Sequence, residues 1–293
     1  MQHRKSVVLI IVGAMLWGTT GTAQSFAPLA SPIAIGAIRL AFGGLTLLVL
    51  LFVQRKLLIS SKSIPYIIAA SIAMAAYQPL FFSAVLQTGV AIGTVVAIGS
   101  APVFSGILEW LIQRQIPGKK WWLSTALSIL GCALLVSNGD SIRVDLIGIV
   151  MALGAGLSFA VYTLISKRLV RTYLPDTIVA VVFTLSALML SPLLFFYDLS
   201  WLLEINGLLV ALHLGILATG LAYLLYARGL VGVSSATAVT LSLTEPLTAS
   251  LLGVLIVGEV LSLMSWIGIG LLFSGLTILS LPSKKRHRGS LSL

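Results

Sequence analysis

One carboxylate stands in the middle of a long apolar run, directly before a proline. The run contains the segment TLSLTEPLTAS, in which Glu245 precedes Pro246, and no other charge lies between Arg228 and Glu259. If this run crosses a bilayer, the acid costs about 2.5–3.5 kcal/mol and requires a cation, a water-filled cavity or protonation. A carboxylate in that position can carry a proton, pair with a charged substrate or act as an acid and base.

The proline disturbs the helix that would carry this acid. Pro246 has no backbone N–H, so the carbonyl of Ser242, one turn earlier, loses its usual hydrogen-bond partner. Within a membrane such a carbonyl must face protein or a water-filled cavity. We therefore interpret Thr244 and Glu245 as the lining of a local opening in the helix. The alternative is a structural acid that is bonded to neighbouring hydroxyl groups or paired with Arg39.

Other polar and aromatic side chains occur deep within other apolar runs. Trp17 lies near the centre of its run, whereas interfacial tryptophans belong at span ends; it either lines a cavity or packs against a neighbouring helix. Arg39 either extends to the outer surface or serves as a counter-ion for Glu245 or for a substrate carboxylate, which a guanidinium binds with forked donors. The candidate substrate-binding residues are Trp17, Thr20, Gln24, Tyr77, Gln78, Phe81, Tyr162, Tyr223, Thr244 and Glu245.

Three further residues receive structural interpretations. Glu109 lies close to Arg114 near the inside end of its run, and we expect it to be interfacial, where it is solvated or ion-paired. His213 can relay protons, but a hydrogen bond to a nearby hydroxyl group is the simpler interpretation. The single cysteine, Cys132, lies in an apolar run and can form neither an intramolecular disulfide nor a metal cluster.

Composition identifies the class of protein. The chain has 293 residues, of which 58% are hydrophobic and 9% charged, whereas soluble domains carry about 25% charged residues. A bilayer core requires roughly 20 apolar residues per helix, and lipid requires every backbone group to be bonded internally. The sequence therefore predicts an all-α membrane protein with ten transmembrane helices. These cover residues 7–26, 32–53, 64–86, 90–112, 121–138, 146–166, 176–197, 204–227, 233–257 and 262–281, and the segment TGVAIG separates the third from the fourth.

The basic residues orient these helices. If the N-terminus lies inside, 16 of the 18 Lys and Arg residues fall in inside segments, which is the bias of cytoplasmic loops. The sequence thus predicts a bacterial-type inner-membrane protein with both termini in the cytoplasm. The basic tail, 283–293, is either solvated or in contact with anionic lipid. Because the charges are scattered over short loops and form no basic face, a nucleic-acid partner is not expected.

The two halves of the chain resemble each other. A displacement of 144 residues lays GTVVAIGSAPVFSGILEWLI over TAVTLSLTEPLTASLLGVLI and Pro102 over Pro246, and a displacement of 142 lays Trp17 over Phe159. The repeat unit is five helices, an odd number, so the halves are predicted to be inverted relative to each other. Inverted repeats are frequent in secondary transporters, whose substrate site lies near the midplane between them. The predicted repeats are residues 1–138 and 146–282.

Several segments together resemble the ten-helix branch of the drug/metabolite transporter superfamily, the EamA-type transporters. The resemblance is carried by AMLWGTTGTAQ (14–24), IRLAFGGLTLL (38–48), GTVVAIGSAPVFSGILEWL and ATAVTLSLTEPLTASLLGVLIVGE (236–259), which has a proline in its middle and an acid at its end. The resemblance implies a basket of helices with the fifth and tenth at its periphery. It also implies export of small metabolites, often amino acids, by alternating access.

The sequence predicts a secondary transporter, which we expect to export small polar metabolites such as amino acids. Two alternatives stay open: import or uniport of another small metabolite, and an intramembrane enzyme that uses Glu245 with Arg39 or His213. The chain has no phosphate-binding loop, no H-E-x-x-H motif and no Cys/His cluster, so we expect no enzyme, cofactor or metal site. The driving force is either proton exchange through Glu245 or the substrate gradient alone. The expected partners are the small-molecule substrate and membrane lipids.

Overall fold

The computed structural model describes residues 2–28, 30–54, 60–135 and 145–281, and in this part of the chain the structure is helical without β-strands. The basic tail, 283–293, and the last residues of both predicted repeats lie outside the described residues. The α-helices are α1 (Gln2–Gln24), α2 (Pro32–Gln54), α3 (Ile64–Gln113), α4 (Lys119–Leu135), α5 (Leu146–Leu169), α6 (Pro175–Leu190), α7 (Ile205–Leu212), α8 (Ala222–Leu230), α9 (Ser235–Leu241), α10 (Thr244–Leu252) and α11 (Leu263–Ser280).

Shorter helical segments complete several of these elements. One π-helical segment, His213–Leu221, joins α7 to α8, and another, Gly253–Val257, extends α10. Within the described ranges, nine stretches are long and apolar enough to cross a membrane. The protein is therefore a multi-pass membrane protein. The nine stretches are Gln2–Gln24, Pro32–Val53, Ser61–Gly89, Ile92–Gln113, Leu146–Leu169, Pro175–Phe196, Ile205–Leu230, Ser235–Val257 and Leu263–Ser280.

The long helix α3 carries two of these stretches because its backbone turns at one glycine. Gly89 has φ 84° and ψ 159°, a combination that is essentially restricted to glycine. It separates Ser61–Gly89 from Ile92–Gln113, and it lies within the segment TGVAIG that the sequence marks as a break.

The predicted fifth span corresponds to α4, which is too short to count among the nine. It has 17 residues, a length of about 25 Å, and its predicted run ends at residues 136–138, which lie outside the described residues. It lies against α11 at very short range. A Cβ built on Gly131 would lie 2.6 Å from the Gly268 carbonyl oxygen, and a Cβ on Gly268 would lie 2.6 Å from the Gly131 carbonyl oxygen.

The other helices also pack in close pairs. α1 contacts α8 and α10, α3 contacts α5, and α2 contacts α6 and the π-helical segment His213–Leu221. A Cβ on Gly13 would lie 2.8 Å from the carbonyl oxygen of Ala222, and a Cβ on Gly156 would lie 2.6 Å from that of Ala97. Small residues therefore let the helix backbones meet, as is common where helices associate within a membrane.

Candidate functional site

The span that carries Glu245 is broken into two helices just before the acid. α9 ends at Leu241, α10 begins at Thr244, and Glu245 occupies the first turn of α10, where a carboxylate interacts favourably with the helix dipole. The carbonyl of Ser242, which Pro246 cannot bond, accepts a hydrogen bond from the Glu245 N–H at 2.9 Å. The freed carbonyl is thus satisfied within the chain, and the break presents the acid side chain rather than bare backbone.

Glu245 borders a small cavity together with four other predicted residues, Trp17, Arg39, Tyr77 and Tyr223. The cavity has a volume of about 30 Å³, which is room for one or two water molecules. No ion pair joins Glu245 to Arg39, although both line this space, and no donor among the described residues is hydrogen-bonded to the Glu245 carboxylate. The site therefore holds a carboxylate and a guanidinium that line one cavity without forming an ion pair.

Arg39 is held in place by the π-helical segment His213–Leu221. Its Nε donates to the hydroxyl of Thr219 at 3.1 Å, and one terminal nitrogen donates to the carbonyl of Ala218 at 3.3 Å. Arg39 is only 8% exposed, so it does not extend to the surface. Since a guanidinium has five N–H donors, these two bonds orient the group and leave other donors for a ligand.

Aromatic rings form one wall of the site. The ring of Trp17 lies 4.6 Å from that of Tyr223 and 5.8 Å from that of Phe159, measured between centroids. Phe159 in turn lies 5.9 Å from Tyr77. Behind them, Tyr226 lies 5.1 Å from Trp17. This packing fixes the rings and so defines the shape of the cavity.

Two cavity residues that sequence reasoning missed are repeat counterparts of predicted residues in the other half. Phe159 corresponds to Trp17 by the displacement of 142 residues, and Ala101 corresponds to Glu245 by the displacement of 144. Ile98 and Ser242 also line the cavity and are related by the same displacement of 144. The signal that could have identified Phe159 and Ala101 was therefore the internal alignment, because apolar side chains carry no chemical signature of their own.

Six predicted residues lie elsewhere. Phe81 stacks on Tyr77 at 5.7 Å, and the almost fully buried Tyr162 lies 6.0 Å from Tyr223, so both support cavity residues without lining the cavity. Thr244 faces a groove between α1, α10 and α11, and its hydroxyl donates to a backbone carbonyl one turn earlier at 2.8 Å.

The remaining three predicted residues have buried polar atoms without protein partners. Within the described part of the chain, both amide atoms of Gln78, the hydroxyl of Thr20 and the amide nitrogen of Gln24 form no hydrogen bond. The indole nitrogen of Trp17 also forms no hydrogen bond. Buried polar groups are nearly always paired in proteins, so these atoms need water or a rearrangement of the helices to be satisfied.

The structure confirms one structural interpretation and corrects another. The ring of His213 is hydrogen-bonded to the hydroxyl of Thr19 at 2.8 Å, and His213 does not line the Glu245 cavity. Glu109 is not solvated: it is 4% exposed, and its carboxylate accepts hydrogen bonds from the Ser235 hydroxyl and the Ala236 N–H, both at 2.8 Å. The expectation failed because its partners lie far away in the sequence.

Tyr77 gives a conservative test of the cavity. We expect Tyr77→Phe to lower the initial rate of transport by about threefold to tenfold, because it removes one polar atom from a cavity wall while preserving the ring. The rate should be measured in proteoliposomes. Tyr66→Phe, which changes the same group at the exposed start of α3, is the matched control. Equal rates for both variants and the unaltered protein would contradict a role for Tyr77 in the site.

Comparison with known families and proteins supplies independent information. The EamA-like transporter family matches the chain in two segments, residues 4–137 and 146–281. The chain is 49% identical over 280 residues to the uncharacterized transporter YwfM of Bacillus subtilis (strain 168), covering 95% of each chain. It is 29% identical over 266 residues to the threonine/homoserine exporter RhtA of Escherichia coli (strain K12), covering 90% of this chain and 87% of RhtA.

The fold also has a counterpart among solved structures. One crystal structure of a protein matches with a TM-score of 0.80 at 17% identity, covering 93% of this chain and 95% of the other. That likeness concerns the fold alone. Because the family matches cover both halves of the sequence, the chain belongs to the EamA-like transporter family and is a transporter of that type.

Proposed function

We propose that this transporter exports small polar metabolites, amino acids first among them, by alternating access to the Glu245 cavity. The observation that carries the proposal is that Glu245 and Arg39 face one cavity without an ion pair between them. An amino acid carries an ammonium group and a carboxylate, so each of its charges finds one complementary partner. The similarity to a protein named as a threonine/homoserine exporter supports both the substrate class and the direction.

The size of the cavity favours a mechanism that includes movement. A volume of about 30 Å³ admits water but not an amino acid, so the surrounding helices must separate before substrate enters. Such movement suits two bundles that alternate around a fixed site near the midplane. Of the two groups that an intramembrane enzyme could use with Glu245, Arg39 lines this cavity and His213 does not. A guanidinium stays protonated and is a poor acid or base, which favours transport over catalysis.

We further propose ten spans arranged as two inverted repeats, with α4 as the fifth span in addition to the nine long stretches. The family matches each half of the chain separately, which supports two repeats. The contacts support the inversion: α1 packs against α10 as α5 packs against α3, and α4 packs against α11. The cavity itself is lined by repeat-related residues, such as Trp17 with Phe159.

The position of the termini tests whether α4 crosses the membrane. Ten spans place both termini on one side of the membrane, whereas nine spans, with α4 lying outside the bilayer, place them on opposite sides. We expect both termini in the cytoplasm of a bacterial cell, because that arrangement puts most of the basic residues inside. Reporter fusions at each end should both give cytoplasmic signals. A C-terminus that reports from outside would contradict both the crossing by α4 and the inverted repeat.

Counterflow tests the proposed function. Proteoliposomes that are loaded with one unlabelled amino acid at a time should accumulate the same labelled amino acid for at least one member of the panel. L-Threonine and L-homoserine are the first members, because of the name of the similar exporter. Repeating the assay with and without a pH gradient separates proton exchange from movement down the substrate gradient. If no amino acid is accumulated by protein that is folded and inserted, the proposed substrate class is wrong.

A further inference from the structure

Among the described residues, two buried charged side chains lie outside the candidate site. Glu109 in α3 is 4% exposed and Lys167 in α5 is 8% exposed. A charged side chain that is buried away from water is costly unless it is hydrogen-bonded. Neither of them lines the Glu245 cavity, so the site does not explain why they are buried.

Both charges bind the turn between α8 and α9. The Glu109 carboxylate accepts hydrogen bonds from the hydroxyl of Ser235 and the N–H of Ala236 at the start of α9. The Lys167 ammonium donates to the carbonyls of Leu230, at 2.6 Å, and of the following residue, at 3.1 Å, at the end of α8. The Ala236 N–H and the two carbonyls are backbone groups that a helix end leaves unpaired. α3 thus holds one end of the turn through Glu109, and α5 holds the other end through Lys167. The negative charge accepts hydrogen bonds from donors, and the positive charge donates to carbonyl oxygens.

This contact lies at the end of a row that begins in the cavity. Ala101, Ser105 and Glu109 are four residues apart on α3, so they share one face of the helix. Ala101 borders the cavity, and Ser105 is fully buried. α9 packs mainly against α3 and α5 and also contacts α1, whereas α10, the other half of the same span, packs mainly against α1. The Glu109 contact therefore lies where α9, in the second half of the chain, meets α3, in the first half.

The two charges are absent from the repeat-related positions of the described chain. By the displacement of 144 residues Glu109 corresponds to Gly253, and by the displacement of 142 residues Lys167 corresponds to Ser25. Neither counterpart is charged. Packing is shared by the two repeats, as at α4 and α11, but this pair of charges belongs to one repeat. The asymmetry points to a role in only one of the two alternating conformations.

We propose that Glu109 and Lys167 lock the transport pathway on the membrane face at which α1 begins, and that they release the α8–α9 turn when the site opens to that face. They act as positioning residues, through the backbone of α8 and α9 and without touching substrate. The inference rests on the proposed alternating access. It predicts that weakening the contacts raises the exposure of the row between the cavity and Glu109, even when no substrate is present.

Cysteine labelling tests the lock. Ser105→Cys, in a Cys132→Ser background, places one thiol between the cavity and Glu109. A membrane-impermeant maleimide, added to the face at which α1 begins, should label this thiol slowly. Adding Glu109→Ala should raise the labelling rate by about tenfold or more, since two hydrogen bonds to a charged group are lost. Adding Glu204→Ala, the same change at an exposed acid, should leave the rate unchanged.

Two results would overturn the proposal: rapid labelling of Ser105→Cys without any further change, or equal slow labelling with and without Glu109→Ala. If Glu109→Ala fails to fold, Ser235→Ala removes one of the two bonds to Glu109 with a smaller disturbance. It should also raise the labelling rate, and an unchanged rate in folded Ser235→Ala protein contradicts the lock. Because labelling needs no substrate, amino-acid transport with unaltered labelling would reject the lock alone. Faster labelling without such transport would reject the substrate class alone.

Discussion

Glu245→Gln is expected to give a folded protein whose transport is about tenfold to a hundredfold slower, or whose transport no longer depends on pH. Glutamine keeps the size of the side chain and its capacity for hydrogen bonds but removes the titratable charge. The charge faces a cavity that also contains Arg39, Tyr77 and Tyr223, so the substitution leaves Arg39 without an opposite charge there. A hydrogen bond to a charged group contributes about 1.5–3 kcal/mol, which corresponds to the expected loss.

The control for this prediction is Glu204→Gln, because Glu204 is an exposed acid at the start of α7. Initial rates of counterflow should be compared across a series of pH values, with helix content measured by circular dichroism to confirm folding. Unaltered rates and an unaltered pH profile in Glu245→Gln would show that this carboxylate is neither a proton carrier nor a counter-ion for substrate.

Gly18→Val is expected to abolish transport and to lower the free energy of unfolding by about 1–3 kcal/mol. A Cβ on Gly18 would lie 2.6 Å from the Cβ of Thr248 and 2.7 Å from the carbonyl oxygen of Glu245. α1 therefore crosses α10 at the acid itself, and a larger side chain must push the two helices apart there. Thermal unfolding and counterflow should be measured on the same preparations.

A second glycine in α1 provides the matched control for this effect. Gly21 is three residues further along, and no atom lies within 4 Å of a Cβ built there. Gly21→Val should therefore retain both stability and transport. If Gly18→Val and Gly21→Val behave alike, the close crossing of α1 and α10 does not determine the geometry of the site.

The sequence was sufficient for the class of protein and for the acid at the helix break, because both depend on local chemistry. A carboxylate next to proline in an apolar run has few structural interpretations. The number of spans was harder, since composition alone does not distinguish the 17 residues of α4 from a full crossing. Whether α4 crosses the membrane depends on a few residues at the end of its run. That crossing determines on which side of the membrane the C-terminus lies.

The parts of the site that sequence reasoning missed depend on long-range contacts. Phe159 and Ala101 are ordinary apolar residues until the fold places them opposite Glu245. Glu109 has Arg114 nearby in the sequence, yet its hydrogen-bond partners begin at Ser235. Conversely, Thr244 adjoins the acid in sequence but faces another side of α10, since neighbouring residues on a helix point in different directions.

The most direct test of the central claim, that substrate binds between Glu245 and Arg39, is a thermal unfolding measurement on purified protein with added amino acids. A ligand that binds only the folded state raises its stability, by about 2.7 kcal/mol when its concentration is a hundred times the Kd. We predict that an amino acid that is active in counterflow raises the Tm of the unaltered protein and of Glu204→Gln but not that of Glu245→Gln. An equal rise in Tm for all three proteins would show that the substrate binds elsewhere.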